Sequence, residues 1–324
     1  MATAENAKLE YEAGQNSVAM SELSTTDNVT YTTGSSLFSN RSGFAPDVKP
    51  NGLLTGGAVT GSTVSQDQVN VASCTVNLNG VVESVAGTTL SIVRPLTDVA
   101  QVFSVVVDAL GSYAIEEGVE SGSGAFSETR GAAGGPPYIA LDDVEVAQIR
   151  VNESSSAFIT SAEIFSVVGL HTERADFPIF NINYDQGTIE MLSAVPANHV
   201  GDVGKAVYAA YATPIFGEIT LASDFTPPET TNSVTSTQIY GTTLGSTSST
   251  LGQGSFTAFL NDGVTDALVT LKNEVLWFRF FPNKFASANI LSQGKLGISR
   301  TFPAGDNIQA ACTISASEAA IEVA

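Results

Sequence analysis

Positive charge is what this sequence has least of. Its 324 residues hold 13 Lys and Arg against 33 Asp and Glu, a formal net charge of −20. Such a chain repels phosphate backbones and has little to gain from counterion release, which argues against ordinary nucleic-acid binding. Cysteine is equally scarce. Cys74 and Cys312 are the only two, far apart, so there is neither a paired zinc motif nor a disulfide framework, and reduced thiols are expected. No stretch of about 18 apolar residues occurs, and Met1 to Lys8 lacks a basic segment leading into an apolar one, so folding in the cytoplasm where the chain is made is expected. Without an export signal, the sequons at Asn28, Asn40 and Asn152 are chance matches.

Chemistry-bearing residues are also few. His171 and His199 are the only neutral-pH bases, and no Gly-x-Ser-x-Gly elbow accompanies them; each reads as part of a surface turn. Gly201-Asp202-Val203-Gly204-Lys205 superficially suggests a phosphate loop, but its glycines are too close and Ala206 stands where Ser or Thr is required. Asp142-Asp143 and Glu116-Glu117 offer carboxylates for a calcium site or a carbohydrase. Adjacent strand residues point to opposite faces, so neither pair converges. No catalytic, cofactor-binding or metal-binding residue is assigned, no cofactor is expected, and the chain reads as a non-enzyme.

What the sequence does hold is apolar area for a folded core: 43% hydrophobic residues with 17 Phe and 8 Tyr, against 14% charged. Its Gly, Ser, Thr and Val suit short strands and turns, so a mainly β fold is predicted. Residues 1–48 are polar and read as an arm or extended segment. From Gln66, Val69 and Val71 alternate in one phase and Cys74, Val76 and Leu78 in the other, as one strand with a bulge would. Asn79-Gly80 then predicts a type I′ hairpin. Further strands are predicted at Leu90–Val93, Val102–Val107, Tyr113–Val119, Val144–Val151, Phe158–Phe165 and Lys205–Tyr211, with a hairpin across Asp185-Gln186-Gly187. Gly118 to Pro137 reads as a mobile loop. A domain boundary is placed near residue 214, giving a β-rich domain over 49–213 and a second β domain over 214–324.

In that second domain Thr226 to Thr250 reads as a linker. Ser255–Leu260 is a strand, and Val264, Ala267, Leu268 and Leu271 fall at helical spacing. Glu274–Phe281 concentrates Val275, Leu276, Trp277, Phe278, Phe280 and Phe281, read as a buried core strand rather than a sugar platform. Ile290–Phe302 and Ile308–Ser315 follow, the latter placing Cys312 on an apolar face.

The order strand, short helix, aromatic strand, strand, turn, strand over residues 253–320 resembles the tail-tube domain of long-tailed bacteriophages. The likeness lies in Gly254-Ser255-Phe256-Thr257, Trp277-Phe278-Arg279-Phe280-Phe281-Pro282-Asn283, Gly294 to Arg300 and Asn307 to Ser315. The resemblance covers about the last third of the chain. It implies a β-sandwich or barrel with one flanking helix, closing into hexameric or pseudo-hexameric rings that stack into a virion tail tube. It further implies assembly in the host cytoplasm and partners of three kinds: copies of the chain, other tail proteins (tape measure, tail tip, terminator), and double-stranded DNA passing through the lumen without tight binding. An acidic bore fits such passage, because phosphates meet no cationic wall. A phage decoration or receptor-binding virion protein is the alternative.

Overall fold

The computed structural model describes residues 7–25, 27–34 and 37–324. It is mainly β, 51% strand and 1% helix. Among the described residues no helix is long and apolar enough to cross a membrane.

The chain divides into two compact units: unit 1 is Met1–Ser17, Leu37–Pro46 and Tyr211–Ala324, and unit 2 is Val18–Ser36 and Asp47–Ala210. This differs from the division expected over 1–48, 49–213 and 214–324. The polar amino-terminal stretch is extended, but it is built into the fold: the strand Lys8–Thr25 contributes to both units, and its start pairs antiparallel with the aromatic strand, Leu9 opposite Phe280 and Tyr11 opposite Phe278. The strand Val207–Ile219 likewise runs through the expected boundary.

Unit 1 is an antiparallel sheet in the order Lys8–Thr25, Val275–Phe281, Asn289–Thr301, Ile308–Ser315, Gly254–Leu260, Ala222–Thr226. Alternation explains its core: Ile308–Ser315 buries Ala310, Cys312 and Ile314 and exposes the residues between them. These join Leu9, Phe256, Leu276, Phe278 and Leu296 in one cluster. The helix expected over Val264–Leu271 is a single turn, Ala267–Thr270, lodging Leu268 and, just beyond it, Leu271 in that cluster. Before it, the Asp266 carboxylate accepts from the backbone N–H groups of Asn261, Asp262 and Gly263 and so closes the turn. Trp277 is buried on its strand, and its Nε1–H donates to the Phe38 carbonyl at 3.0 Å, tying the 37–46 segment to the sheet.

The stretch read as a linker is a correction. Thr230–Ile239 and Thr242–Leu251 are ten-residue strands in full antiparallel register from Thr230↔Leu251 to Ile239↔Thr242, joined at Tyr240-Gly241. Gly241, at φ +82°, supplies the left-handed residue that this two-residue turn needs.

In unit 2 the strands Gln101–Val107 and Val144–Val151 are buried along their whole length and lie at the centre of a four-stranded sheet flanked by Tyr113–Glu117 and Ile164–Phe165. Val105, Val107, Val146 and Ile149 join Leu53, Val69, Val76 and Leu78 in the core. Val69–Val71 and Cys74–Leu78 are not one bulged strand. They belong to Gln68–Val71 and Cys74–Leu78, which pair in two different three-stranded sheets, so the change of phase marks a change of sheet. Asn79 and Gly80, at φ +51° and +77°, form the predicted two-residue turn between Leu78 and Val81. The hairpin across Asp185-Gln186-Gly187 pairs Phe180–Asn183 with Thr188–Met191.

Candidate functional site

Two features stand out: a buried polar network in unit 2 and the projecting hairpin of unit 1. The network follows from the strand Val144–Val151. Val144, Val146, Ile149 and Val151 join the core, while the polar Glu145, Gln148 and Arg150, buried as well, bond to one another and to neighbouring segments. Polar groups so placed need partners. The Glu145 carboxylate accepts from Ser104 Oγ at 2.5 Å, from Gln148 Nε2 at 3.1 Å and from Arg130 Nη2. Arg130 also donates to Asn198 Oδ1 and the Pro137 carbonyl, both at 2.7 Å, while Asn198 donates to Glu173. Arg150 makes a two-pronged pair with Glu128 at 2.6 and 2.8 Å and lies over the Phe165 ring. Arg130 and Glu128 both belong to the Gly/Ser-rich stretch read as a mobile loop, which is therefore pinned twice to a core strand.

Both histidines sit beside this network, and both correct the reading as surface residues. His171 does lie in a turn, but its side chain is buried against Phe165, with ring centroids 5.5 Å apart, and accepts from the Val167 N–H at 3.3 Å. Burial first, then the Arg150 guanidinium, lowers its pKa and favours the neutral ring. His199 is fully buried, with Nε2 3.2 Å from the Asp143 carbonyl and 3.6 Å from Glu173. The carboxylate pairs do not converge: Asp142 is exposed while Asp143 is buried and accepts from the Ala109 N–H, and Glu116 and Glu117 are neighbours on Tyr113–Glu117. Lys205 is buried and donates to the Phe177 and Arg174 carbonyls, so the Gly201–Lys205 segment is a turn with its lysine turned into the protein. Cys312 is core packing, its thiol pushed up to about 12 by burial. Cys74 is buried as well, and both thiols are free. Among the described residues no group of three or more His, Cys, Asp and Glu converges as a metal-ligand set.

The network makes stability depend on pH. Burial outweighs the Arg130 guanidinium and raises the Glu145 carboxyl from 4.5 to about 7. The folded protein therefore holds a proton there that the unfolded chain releases. The stabilisation is complete below pH 4.5 and is lost as pH rises through about 7. Glu12, buried in unit 1 and also raised to about 7 by burial, acts in the same direction, and His171 acts in the opposite one. Denaturant unfolding at pH 5 and pH 8 should show wild type more stable at pH 5. Glu145→Gln should flatten that difference, and an unchanged slope in the variant would contradict the assignment.

The hairpin is the reverse of the network. Every residue from Thr230 to Leu251 is uncharged, in a chain of net charge −20. The described side chains along both strands are exposed, apart from half-buried Leu251, and Tyr240 at the tip has a relative exposure of 108%. A two-stranded ribbon without a packed face is marginally stable by itself, and its outer edges present unpaired backbone groups. Nothing of this kind was foreseen in the sequence, where the segment carries no alternating apolar pattern. The signals present were β-branched Thr and Val on either side of Tyr240-Gly241. No protein-family model matches this sequence, and no curated protein matches it.

Proposed function

We propose that this chain is a structural virion protein that assembles with copies of itself into stacked rings, the tail tube through which a long-tailed bacteriophage ejects its DNA. The observation that carries the reading is the uncharged, exposed hairpin Thr230–Leu251. Copies each bearing −20 repel one another over most of their surface. A charge-free arm is where two of them can meet without desolvating like charges. The succession of Gly254–Leu260, the single helical turn, Val275–Phe281, Asn289–Thr301 and Ile308–Ser315 supports the same reading, because it keeps the order on which the tail-tube resemblance rests. The polar groups around His171 and His199 support a loop, through Arg130 on Glu145 and Arg150 on Glu128, in keeping with a chain that performs no catalysis. The acidic surface lets DNA pass without ion pairs.

A decoration or receptor-binding virion protein is the second reading, favoured by exposed apolar residues in unit 2, Val64, Leu96 and Leu110. Sedimentation velocity separates the two. A tube subunit grows into ever larger, open-ended species as concentration rises, and a decoration or receptor-binding protein stops at one small closed oligomer. A single closed species at every concentration would overturn the tube.

A further inference from the structure

The hairpin tip needs a receiving surface, and unit 1 carries one. A cavity of about 230 Å3 opens beside the strand Ala222–Thr226, lined by Ala222, Ser223, Asp224, Phe225 and Phe280 together with the start of the amino-terminal strand. Phe225 and Phe280 stack with ring centroids 4.5 Å apart at 29° and form an aromatic wall. Asp224 stands at the rim with φ +57°, a backbone region costly for a residue other than glycine.

We propose that Tyr240 of one copy seats in the Phe225–Phe280 cavity of the next copy, making the head-to-tail contact by which the chain polymerises. The inference rests on the tube reading and names the contact that reading requires. Three observations carry it. Tyr240 is an aromatic side chain fully exposed at the end of an arm, while Phe225 and Phe280 offer ring faces and edges against which a phenol packs. The cavity holds a single carboxylate, Asp224, which an uncharged arm can approach without repulsion and which can accept the phenol O–H. The third is geometric. The cavity borders a strand ending at Thr226 and the hairpin begins at Thr230, so the ten-residue strands place the tip about 33 Å along the hairpin from its root near the cavity. Knob and hole thus lie at the tip of the hairpin and near its root. A contact between unlike patches on identical copies repeats without closing on itself pairwise, as rings and filaments require.

The experiment uses the full chain with Thr242→Cys, beside the tip and leaving Tyr240 in place, and Ser223→Cys together; both positions are exposed and the native thiols are buried. A short bis-maleimide should give a ladder of covalent multimers from the double variant, because each chain carries both halves, and no ladder from either single variant. In parallel, Tyr240→Ala should raise the concentration needed for assembly at least about tenfold, as loss of an aromatic anchor does, and Tyr240→Phe should raise it much less. Tubes without a ladder would mean that the cavity is vacant or holds something else; they overturn this contact and leave the tube reading standing. A ladder without tubes supports the contact and removes the tube. Neither ladder nor tubes, at any concentration, overturns both.

Discussion

Excising Thr230–Leu251 is expected to abolish self-assembly while leaving the rest of the molecule folded. The excision is geometrically mild, because the Gly252 N–H already donates to the Glu229 carbonyl at 2.8 Å, so the two ends lie side by side and a two-residue turn can join them. The described hairpin side chains are nearly all exposed and contribute little to the core, so unfolding free energy should change by less than about 1 kcal/mol, the usual range for surface changes. Sedimentation of the shortened chain should give monomer at concentrations where the full chain forms large species. Persistent assembly would place the self-association surface elsewhere, and a collapse of stability would mean that the hairpin is part of the fold's own support.

Trp277→Ala is expected to cost about 3 to 5 kcal/mol, the range for truncating a large buried aromatic side chain, and to give insoluble or unfolded protein. Two losses combine. The indole leaves a cavity, and the Phe38 carbonyl loses the Nε1–H that joins residues 37–46 to the aromatic strand. Trp277→Phe keeps a ring at this position but not the donor, so it should fall between wild type and the alanine variant. Denaturant titration measures all three. A stable, well-folded alanine variant that had lost only the ability to bind a sugar would make the aromatic strand a ligand platform and overturn its reading as core.

Much of the fold was legible wherever one strand face is buried and the other is wet. Ile308–Ser315 was read with its exact ends because Ile308, Ala310, Cys312 and Ile314 alternate with exposed residues. The two hairpin turns were legible because Asn79-Gly80 and Gly187 supply the left-handed conformation that a tight reversal needs. The same rule explains the failures. The described side chains of Thr230–Leu251 form no buried face, and the segment has no apolar period to be read, so Thr, Ser and Gly suggest a linker. Val144–Val151 is legible as a strand from its apolar residues, but Glu145 and Gln148, three apart, fall on opposite faces by alternation, and they share a side only through the register shift opposite Val105 and Val106. Only the folded chain brings Arg130 and Glu128 back from a distant loop to cover Glu145 and Arg150. His171 and His199 sit among turn-forming residues, which describes their backbone correctly and says nothing of where their rings go.

The candidate interface was the least legible part, for a related physical reason. An interaction surface of this kind is defined by what it lacks: charge along the hairpin, and a packing partner for Tyr240. Sequence patterns report burial within one chain, and they carry no comparable period for burial between chains.

Negative-stain electron microscopy of the concentrated, full-length protein tests the central claim most directly, over a range of salt concentrations and with tail-initiating proteins present. Stacked rings or hollow tubes of constant diameter are the expected result. Monomers alone, under every one of those conditions, would contradict it.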